Sequence, residues 1–129
     1  MKTKTLVVWQ DGHPELERMA RTLGEKLEGM GIDPVVRMAS EVSIPDMLAA
    51  SSYLFGADEA GNLSYGEVAR LLRGINLAGR PAAFFGANGA AIAWLRDITK
   101  DSELVAASID LVGPKPESSA IASVLRSFV

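Results

Sequence analysis

The residues between the first apolar run and the first amphipathic stretch have the layout of an anion-binding site. The sequence "VVWQDGHPELERMA" (Val7–Ala20) passes from a predicted strand through a glycine turn into a predicted helix. α/β proteins bind phosphate at such helix starts, where backbone N–H groups and the helix dipole face the anion. This turn, however, contains Asp11 and Glu15 and no serine or threonine. The layout is therefore present with side chains that oppose an anion.

Two further features of this turn weaken it as a phosphate site. Pro14 lacks a backbone N–H, and Glu15 and Glu17 already supply negative charge to the helix dipole. A phosphate about 5 Å from one carboxylate costs on the order of 3 kcal/mol at an effective dielectric constant of about 20. A protonated His13 would offset part of that cost. A self-capped helix without a ligand is the interpretation we favour, and a modified anion site that uses His13 is the alternative.

Missing residue types exclude several kinds of chemistry. The 129 residues include no cysteine, which excludes disulfides, thiolate metal sites and a thiol nucleophile. A single histidine, His13, excludes a multi-histidine metal site, and a Ser-His-Asp triad would have to use it. Without an evident nucleophile–base pair, we do not expect a hydrolase or a transferase.

Composition indicates a globular protein with one core. Apolar residues make up 48% of the chain, charged residues 22%, and the net charge is −3. This balance gives no attraction to nucleic acid or to an anionic membrane. No apolar run approaches the ~18 residues of a membrane span, and the N-terminus does not have the pattern of a signal peptide. We expect a single domain over residues 1–129, located in the cytoplasm.

Strand-like and helix-like segments alternate along the chain. Short apolar runs predict buried strands, and Pro34 suits an edge position for the second strand. The five predicted strands are Thr5–Trp9, Ile32–Ala39, Ser51–Ala57, Arg80–Ala87 and Glu103–Gly113. The pattern predicts an α/β fold with a doubly wound five-stranded parallel sheet, strand order 2-1-3-4-5, and helices on both faces. A ligand site in this fold lies at the carboxyl ends of strands one, three and four.

Helices are predicted between these strands from the spacing of apolar residues. "SIPD" (Ser43–Asp46) and "SYGE" (Ser64–Glu67) have the spacing of capping boxes, which predicts that a helix begins at each. The closing stretch "ESSAIASVLRSFV" predicts a final helix. Its inward residues are Ile121, Val124, Leu125 and Phe128.

The segment Phe55–Gly89 resembles the central part of the flavodoxin-like family. There, a strand that ends in glycine leads through a loop to a capped helix and then to the pattern L-x-G-[KR]-x-x-A-x-F-G. The matching residues are Leu77, Gly79, Arg80, Ala83, Phe85 and Gly86. "VVW" and "ELERMA" similarly resemble the family's first strand and the start of its first helix. The resemblance implies a short-chain flavodoxin fold that bound flavin mononucleotide (FMN) between three loops.

The three loops depart from what the family uses to hold FMN. The first loop lacks the family's serine and threonine hydroxyls. The second has acids and alanine where an aromatic residue usually stacks on the flavin ring, and the third is shorter than usual. The residues that the resemblance places around the cleft are Gln10, Asp11, Gly12, His13, Pro14, Glu15, Asp58, Glu59, Ala60, Gly61, Asn62, Ala87, Asn88 and Gly89. We expect no catalytic residue and no metal ligand among them.

The chain also resembles the receiver domains of response regulators, although less closely. "GPKPES" (Gly113–Ser118) is similar to the Lys-Pro that follows their fifth strand. That family places a phosphoacceptor aspartate at the end of strand three, where this chain has Gly56, with Asp58 two residues later. A pseudo-receiver that is not phosphorylated is therefore a further alternative.

These observations favour a flavodoxin-like protein with a degenerate FMN site that acts as a non-redox binding or regulatory domain. The alternative is an FMN-binding electron carrier that holds the flavin through backbone donors alone. The expected partner is a protein or a small ligand. Because Asp11, Glu15, Asp58 and Glu59 would make the cleft acidic, a cationic partner is a further expectation.

Overall fold

Four parallel strands form the centre of the computed structural model, which describes residues 3–113 and 115–129. They are β1 (Lys4–Trp9), β2 (Asp33–Met38), β3 (Ser52–Gly56) and β4 (Pro81–Gly86). β2 is an edge strand, as Pro34 predicts, and the order is β2-β1-β3-β4, with every pairing parallel. β1, β3 and β4 are buried almost throughout because helices cover both faces of the sheet.

Five α-helices connect and cover the strands. They are α1 (Pro14–Gly29), α2 (Ile44–Ala49), α3 (Gly66–Gly74), α4 (Gly89–Thr99) and α5 (Ser118–Arg126). α1 and α5 pack on one face of the sheet, and α2, α3 and α4 pack on the other. The inward residues predicted for the last helix, from Ile121 to Phe128, are all buried. The doubly wound α/β architecture is confirmed.

The prediction of one continuous fifth strand over Glu103–Gly113 is wrong. Two short strands, β5 (Val105–Ala106) and β6 (Leu111–Val112), pair separately with β4. Between them the chain leaves the sheet, where Arg96 of α4 donates to the Ala107 carbonyl at 2.8 Å and binds the Asp110 carboxylate. These contacts draw the intervening residues toward α4, so a strand that is apolar at both ends is interrupted in the middle.

The two predicted capping boxes have different outcomes. Ser43 and Asp46 form theirs at the start of α2, each side chain bonding the other's backbone N–H. The prediction for Ser64 is wrong, because α3 begins at Gly66 and Tyr65 at its N-cap has no capping hydrogen bond from its side chain. A short 3₁₀ turn, Leu63–Tyr65, precedes α3 and directs the Ser64 hydroxyl toward the sheet edge instead.

Two glycines allow the ends of β3 and β4 to approach each other closely. A Cβ atom on Gly56 would lie 2.2 Å from the ring of Phe85, and one on Gly86 would lie 2.2 Å from the carbonyl oxygen of Ala57. A larger residue at Gly56 would displace the Phe85 ring, and one at Gly86 would push against the backbone of Ala57. The glycines therefore bring together the loops that follow β3 and β4.

Over residues 3–113 and 115–129, no helix is both long enough and apolar enough to cross a bilayer.

Candidate functional site

Three loops meet at the carboxyl edge of the sheet. We call residues 10–13 the first loop, residues 57–62 the second loop and residues 87–88 the third loop; they follow β1, β3 and β4. The strand register places Trp9 beside Gly56, and Gly56 beside Phe85, so the loops leave the sheet next to one another. This is the edge where doubly wound proteins bind ligands.

Gln10 holds the second loop against the end of β1. Its side chain is almost fully buried, and its amide oxygen accepts hydrogen bonds from the backbone N–H groups of Asp58 (2.9 Å) and Glu59 (3.1 Å). Its own backbone N–H donates to the Gly56 carbonyl at 3.1 Å. The acceptor that could have bound a ligand at this position is therefore used within the protein.

Asp58 joins the second loop to both of its neighbours. Its Oδ2 atom lies 3.1 Å from Nδ1 of His13, and its Oδ1 atom accepts from the backbone N–H of Ala87 at 2.9 Å. Its backbone carbonyl accepts from the side-chain amide of Asn88 at 2.9 Å. With Gln10 bound to its N–H, all four polar groups of Asp58 are engaged. Asp58, the carboxylate two residues after the receiver phosphoacceptor position, is thus a structural link.

His13 lies between two carboxylates of the second loop. Besides Asp58, its Nε2 atom is 3.7 Å from Oε1 of Glu59. The His13 side chain is 30% exposed, Asp58 is 16% exposed and Glu59 is 68% exposed, so the contact with Asp58 is the better shielded from solvent. The His13 ring therefore faces two carboxylates of the protein itself.

Asp11 is bound by a segment that the sequence did not connect to the site. Its carboxylate accepts from both the backbone N–H and the hydroxyl of Ser40, which lies in a 3₁₀ turn after β2. Its backbone N–H points to the Ser64 hydroxyl at 3.4 Å, and that hydroxyl donates to Asn62 at 2.6 Å. Neither serine was predicted as a site residue. Local sequence patterns carry no signal for these two serines, because the residues in contact lie 29 and 53 positions apart in the chain.

The side chain of Tyr65 binds the end of β3 from within the core. It is fully buried, and its hydroxyl donates to the Gly56 carbonyl at 2.7 Å. Its ring packs edge-on against Trp94 of α4, with ring centroids 5.6 Å apart. Burial raises the pKa of the Tyr65 phenol well above its ordinary value. The ring is therefore part of the core and is not available to stack on a ligand.

The remaining candidate residues lie at the rim of this edge. Pro14 and Glu15 begin α1 and are exposed, as are Gly12, Ala60 and Gly61 at the loop tips. Gly89 opens α4, whose N-cap is Asn88; the Asn88 side chain accepts from the Ala91 N–H at 2.8 Å. The structure thus brings the three predicted loops together, with the polar groups at their centre bonded to one another.

The start of α1 and the second loop have the acidic side chains noted in the sequence. α1 begins with Pro14, has Glu15 and Glu17 in its first turn, and has no capping hydrogen bond from the His13 side chain. The second loop offers Asp58, Glu59 and Ala60 where a flat ring would need an aromatic partner. Between the start of α1, Asp58 and the third loop, the structure has a hollow of only about 10 Å³. That is about the space of one water molecule.

Within residues 3–113 and 115–129, no group of three or more histidine, aspartate or glutamate side chains is arranged to hold a metal ion. The geometry agrees, since Asp11 is bound by Ser40, and Asp58 by His13 and Ala87.

Comparisons with known proteins bear on the fold. No protein-family model matches the chain, and no curated protein sequence matches it. Solved structures do match. Oxidised flavodoxin 2 from Bacillus cereus has a TM-score of 0.79 at 16% identity, with 98% of this chain and 97% of that chain covered.

Two other flavodoxins match over nearly the same length. The flavodoxin of Streptococcus pneumonia TIGR4 has a TM-score of 0.76 at 18% identity, covering 98% of this chain and 94% of that one. A flavodoxin from the domain Archaea has a TM-score of 0.77 at 18% identity, covering 96% and 92%. Together with the 2-1-3-4-5 strand order, to which β6 adds a sixth strand, these matches establish that the chain has the flavodoxin-like fold.

Proposed function

We propose that this chain is a non-redox binding or regulatory domain that does not hold FMN in the pose usual for flavodoxins. The observation that carries the proposal is the engagement of Asp58, whose four polar groups bind His13, Gln10, Ala87 and Asn88. These contacts join all three loops of the cleft. A flavin inserted between the loops would have to break several of them.

Charge at the start of α1 supports the same conclusion. The exposed Glu15 and the half-buried Glu17 lie in the first turn of α1, where a phosphate monoester would bind the backbone N–H groups. His13 cannot fully compensate, because it already faces Asp58 and Glu59. Because Glu17 is paired with Arg21 at 2.9 Å, repulsion of a bound phosphate would come mainly from Glu15.

The closed cleft leaves an acidic rim for a partner. Glu15 and Glu59 are exposed on either side of the first loop and face solvent. Such a surface favours a cationic group on a protein or a small ligand. We infer that a partner would contact this rim without separating the loops.

A flavin titration of the purified full chain tests the proposal. We expect colourless protein without the visible absorption bands of oxidised flavin. Titration with FMN, followed by quenching of flavin fluorescence, is expected to give no saturable binding at micromolar concentrations. Stoichiometric quenching with a micromolar or tighter Kd would overturn the proposal.

Variants distinguish repulsion by carboxylates from linkage of the loops as the cause of the expected lack of FMN binding. Glu15→Gln removes one carboxylate at the phosphate position, and Asp58→Ala removes the link between the loops; Glu25→Gln, on the exposed surface of α1, is the control. We expect measurable FMN binding to appear first in the double variant Glu15→Gln/Asp58→Ala and never in the control. If the double variant folds and also fails to bind, the carboxylates and the link are not what excludes flavin.

The second candidate is an FMN-dependent electron carrier, which the similarity to solved flavodoxins favours. In that case the flavin would supply the redox chemistry, and the protein would bind and orient it. The chain's own contribution would be backbone donors of the first and third loops. The same titration decides between the two candidates, because only the carrier requires bound flavin.

A further inference from the structure

A groove lies between α1 and α5, on the face of the sheet away from α3 and α4. Its volume is about 480 Å³, which is within the range of small-molecule sites and far larger than the hollow at the sheet edge. Its walls come from α1, from the start of α5 and from residues just before α5. It shares Glu15 and Met19 of α1 with the small hollow at the sheet edge, and none of its lining residues belongs to the three loops.

One stripe of α1 forms the first wall. The lining residues of this helix recur at spacings of three and four, so they share one face. They are Glu15, Arg18, Met19, Thr22, Leu23 and Lys26. Leu23 is fully buried and Met19 is half-buried, so the middle of the wall is apolar. The ends of the stripe are charged.

The start of α5 forms the second wall. Ile121 continues the apolar floor and is 7% exposed, and Pro116 adds a half-buried apolar surface beside it. Ser118, the first residue of α5, also lines the groove and is small and exposed. Lys115 lies at the rim.

The charged residues at the rim are mainly cationic. Arg18, Lys26 and Lys115 line the groove against a single carboxylate, Glu15. Over the described ranges, none of these three cations forms an ion pair, whereas Arg21 on the neighbouring face of α1 is paired with Glu17 at 2.9 Å. The chain as a whole carries a net charge of −3. The groove therefore combines an apolar floor with a local excess of positive charge.

We propose that this groove binds a small amphiphile that has an apolar segment and an anionic phosphate or carboxylate headgroup. The apolar segment would lie on Met19, Leu23 and Ile121, where burial of apolar area stabilises it. The headgroup would contact the cations of the rim, with Arg18 and Lys115 bound to its oxygens. This site does not depend on the state of the FMN cleft, so it can stand if the proposed function fails.

Titration of the full chain with four matched probes tests the proposal. Octyl phosphate and octanoate carry the two headgroups, octanol is the neutral control, and inorganic phosphate lacks the apolar segment; all are used below micelle formation. We expect both anionic amphiphiles to bind at least about tenfold more tightly than octanol or phosphate. The amide chemical shifts of α1 and of the start of α5 should move. The tighter of the two amphiphiles identifies the headgroup.

Three variants place the ligand in the groove. Arg18→Glu and Lys115→Glu reverse charges at the rim of the groove. Arg73→Glu makes the same charge change at an exposed position of α3, on the opposite face of the sheet, and is the control. We expect each rim variant to weaken octyl phosphate by about tenfold and the control to leave it unchanged. Because all three positions are exposed, thermal melting should show folded protein.

Several results would overturn the proposal. Octanol binding as tightly as octyl phosphate would remove the role of charge, and inorganic phosphate binding equally well would remove the role of the apolar floor. Equal binding by wild type and rim variants, or shifts confined to the three loops, would place the ligand elsewhere. The absence of binding by any probe would leave no amphiphile site in the groove.

Discussion

The Nδ1 atom of His13 lies 3.1 Å from the Oδ2 atom of Asp58, across the edge where the first and second loops meet. The two residues are 45 positions apart in the chain, and each lies in a loop of the predicted cleft. This pair joins the two loops through side chains, while the side chains of Gln10 and Asn88 bind the backbone of the second loop. The strength of the pair therefore measures how firmly the loops are joined.

A double-mutant cycle should detect this coupling. With His13→Ala, Asp58→Ala and the double variant, we expect a coupling energy of about 1 kcal/mol in the free energy of unfolding, because both side chains are partly shielded from solvent. The measurement is urea denaturation at neutral pH. The exposed pair of Glu67 and Arg70 on α3 serves as the control and should give a smaller coupling. Equal coupling in the two pairs would mean that the cleft position adds nothing.

Gln10→Met should loosen the second loop. Methionine has a similar length but no amide oxygen, so the N–H groups of Asp58 and Glu59 lose their buried acceptor. We expect a loss of about 1–3 kcal/mol of stability and faster hydrogen exchange at these two amides. Asn76→Ala, which removes an exposed side-chain acceptor from the Ala78 N–H, is the control and should cost less. Unchanged exchange at Asp58 would contradict the role given to Gln10.

Much of the fold could be predicted because it depends on local patterns. Short apolar runs gave the four central strands, and apolar spacing gave the buried face of α5. The fifth strand could not be predicted as two pieces, because what interrupts it is Arg96, a residue of another element that binds Ala107 and Asp110. Ser64 likewise has the spacing of a cap but donates to Asn62.

The meeting of the three loops was predictable, and the contacts between them were not. Glycine-ended strands and acidic loops placed Asp11, His13 and Asp58 at one sheet edge, as the strand order requires. Which atoms they bind depends on distances between loops that no spacing encodes, such as Asp11 with Ser40. The groove between α1 and α5 was missed for the same reason, since its two walls are far apart in the chain.

Gly56→Ala should destabilise the fold strongly. The added Cβ would lie 2.2 Å from the Phe85 ring, so the ring would have to leave its packed position. We expect a loss of about 1–3 kcal/mol or more from overpacking, measured by denaturant unfolding. Gly29→Ala, at the end of α1 with open space around it, is the matched control and should be neutral or slightly stabilising.

Replacing Phe85 tests the cause of that loss. In the variant Gly56→Ala/Phe85→Leu the smaller side chain removes the clash, so Gly56→Ala should cost less in this background than in wild type. If the cost of Gly56→Ala is the same in both backgrounds, contact with the Phe85 ring is not its source.

Tyr65→Phe should change how stability depends on pH as well as its magnitude. Burial raises the pKa of Tyr65, and burial also raises that of Tyr53 against the opposing effect of Arg80. Above pH of about 10 the unfolded chain releases these phenol protons while the folded chain keeps them. Stability therefore falls as pH rises through that range. Tyr65→Phe should have a shallower fall, and it should cost about 1 kcal/mol at neutral pH. The remaining slope would come from Tyr53 and from Lys100, whose pKa the side chain of Asp97 raises. The neutral-pH loss is modest because the Gly56 carbonyl still accepts from the Gln10 N–H. Urea unfolding at neutral pH and at pH values above 10 measures both effects, and an unchanged alkaline slope would show that Tyr65 does not retain its proton in the folded protein.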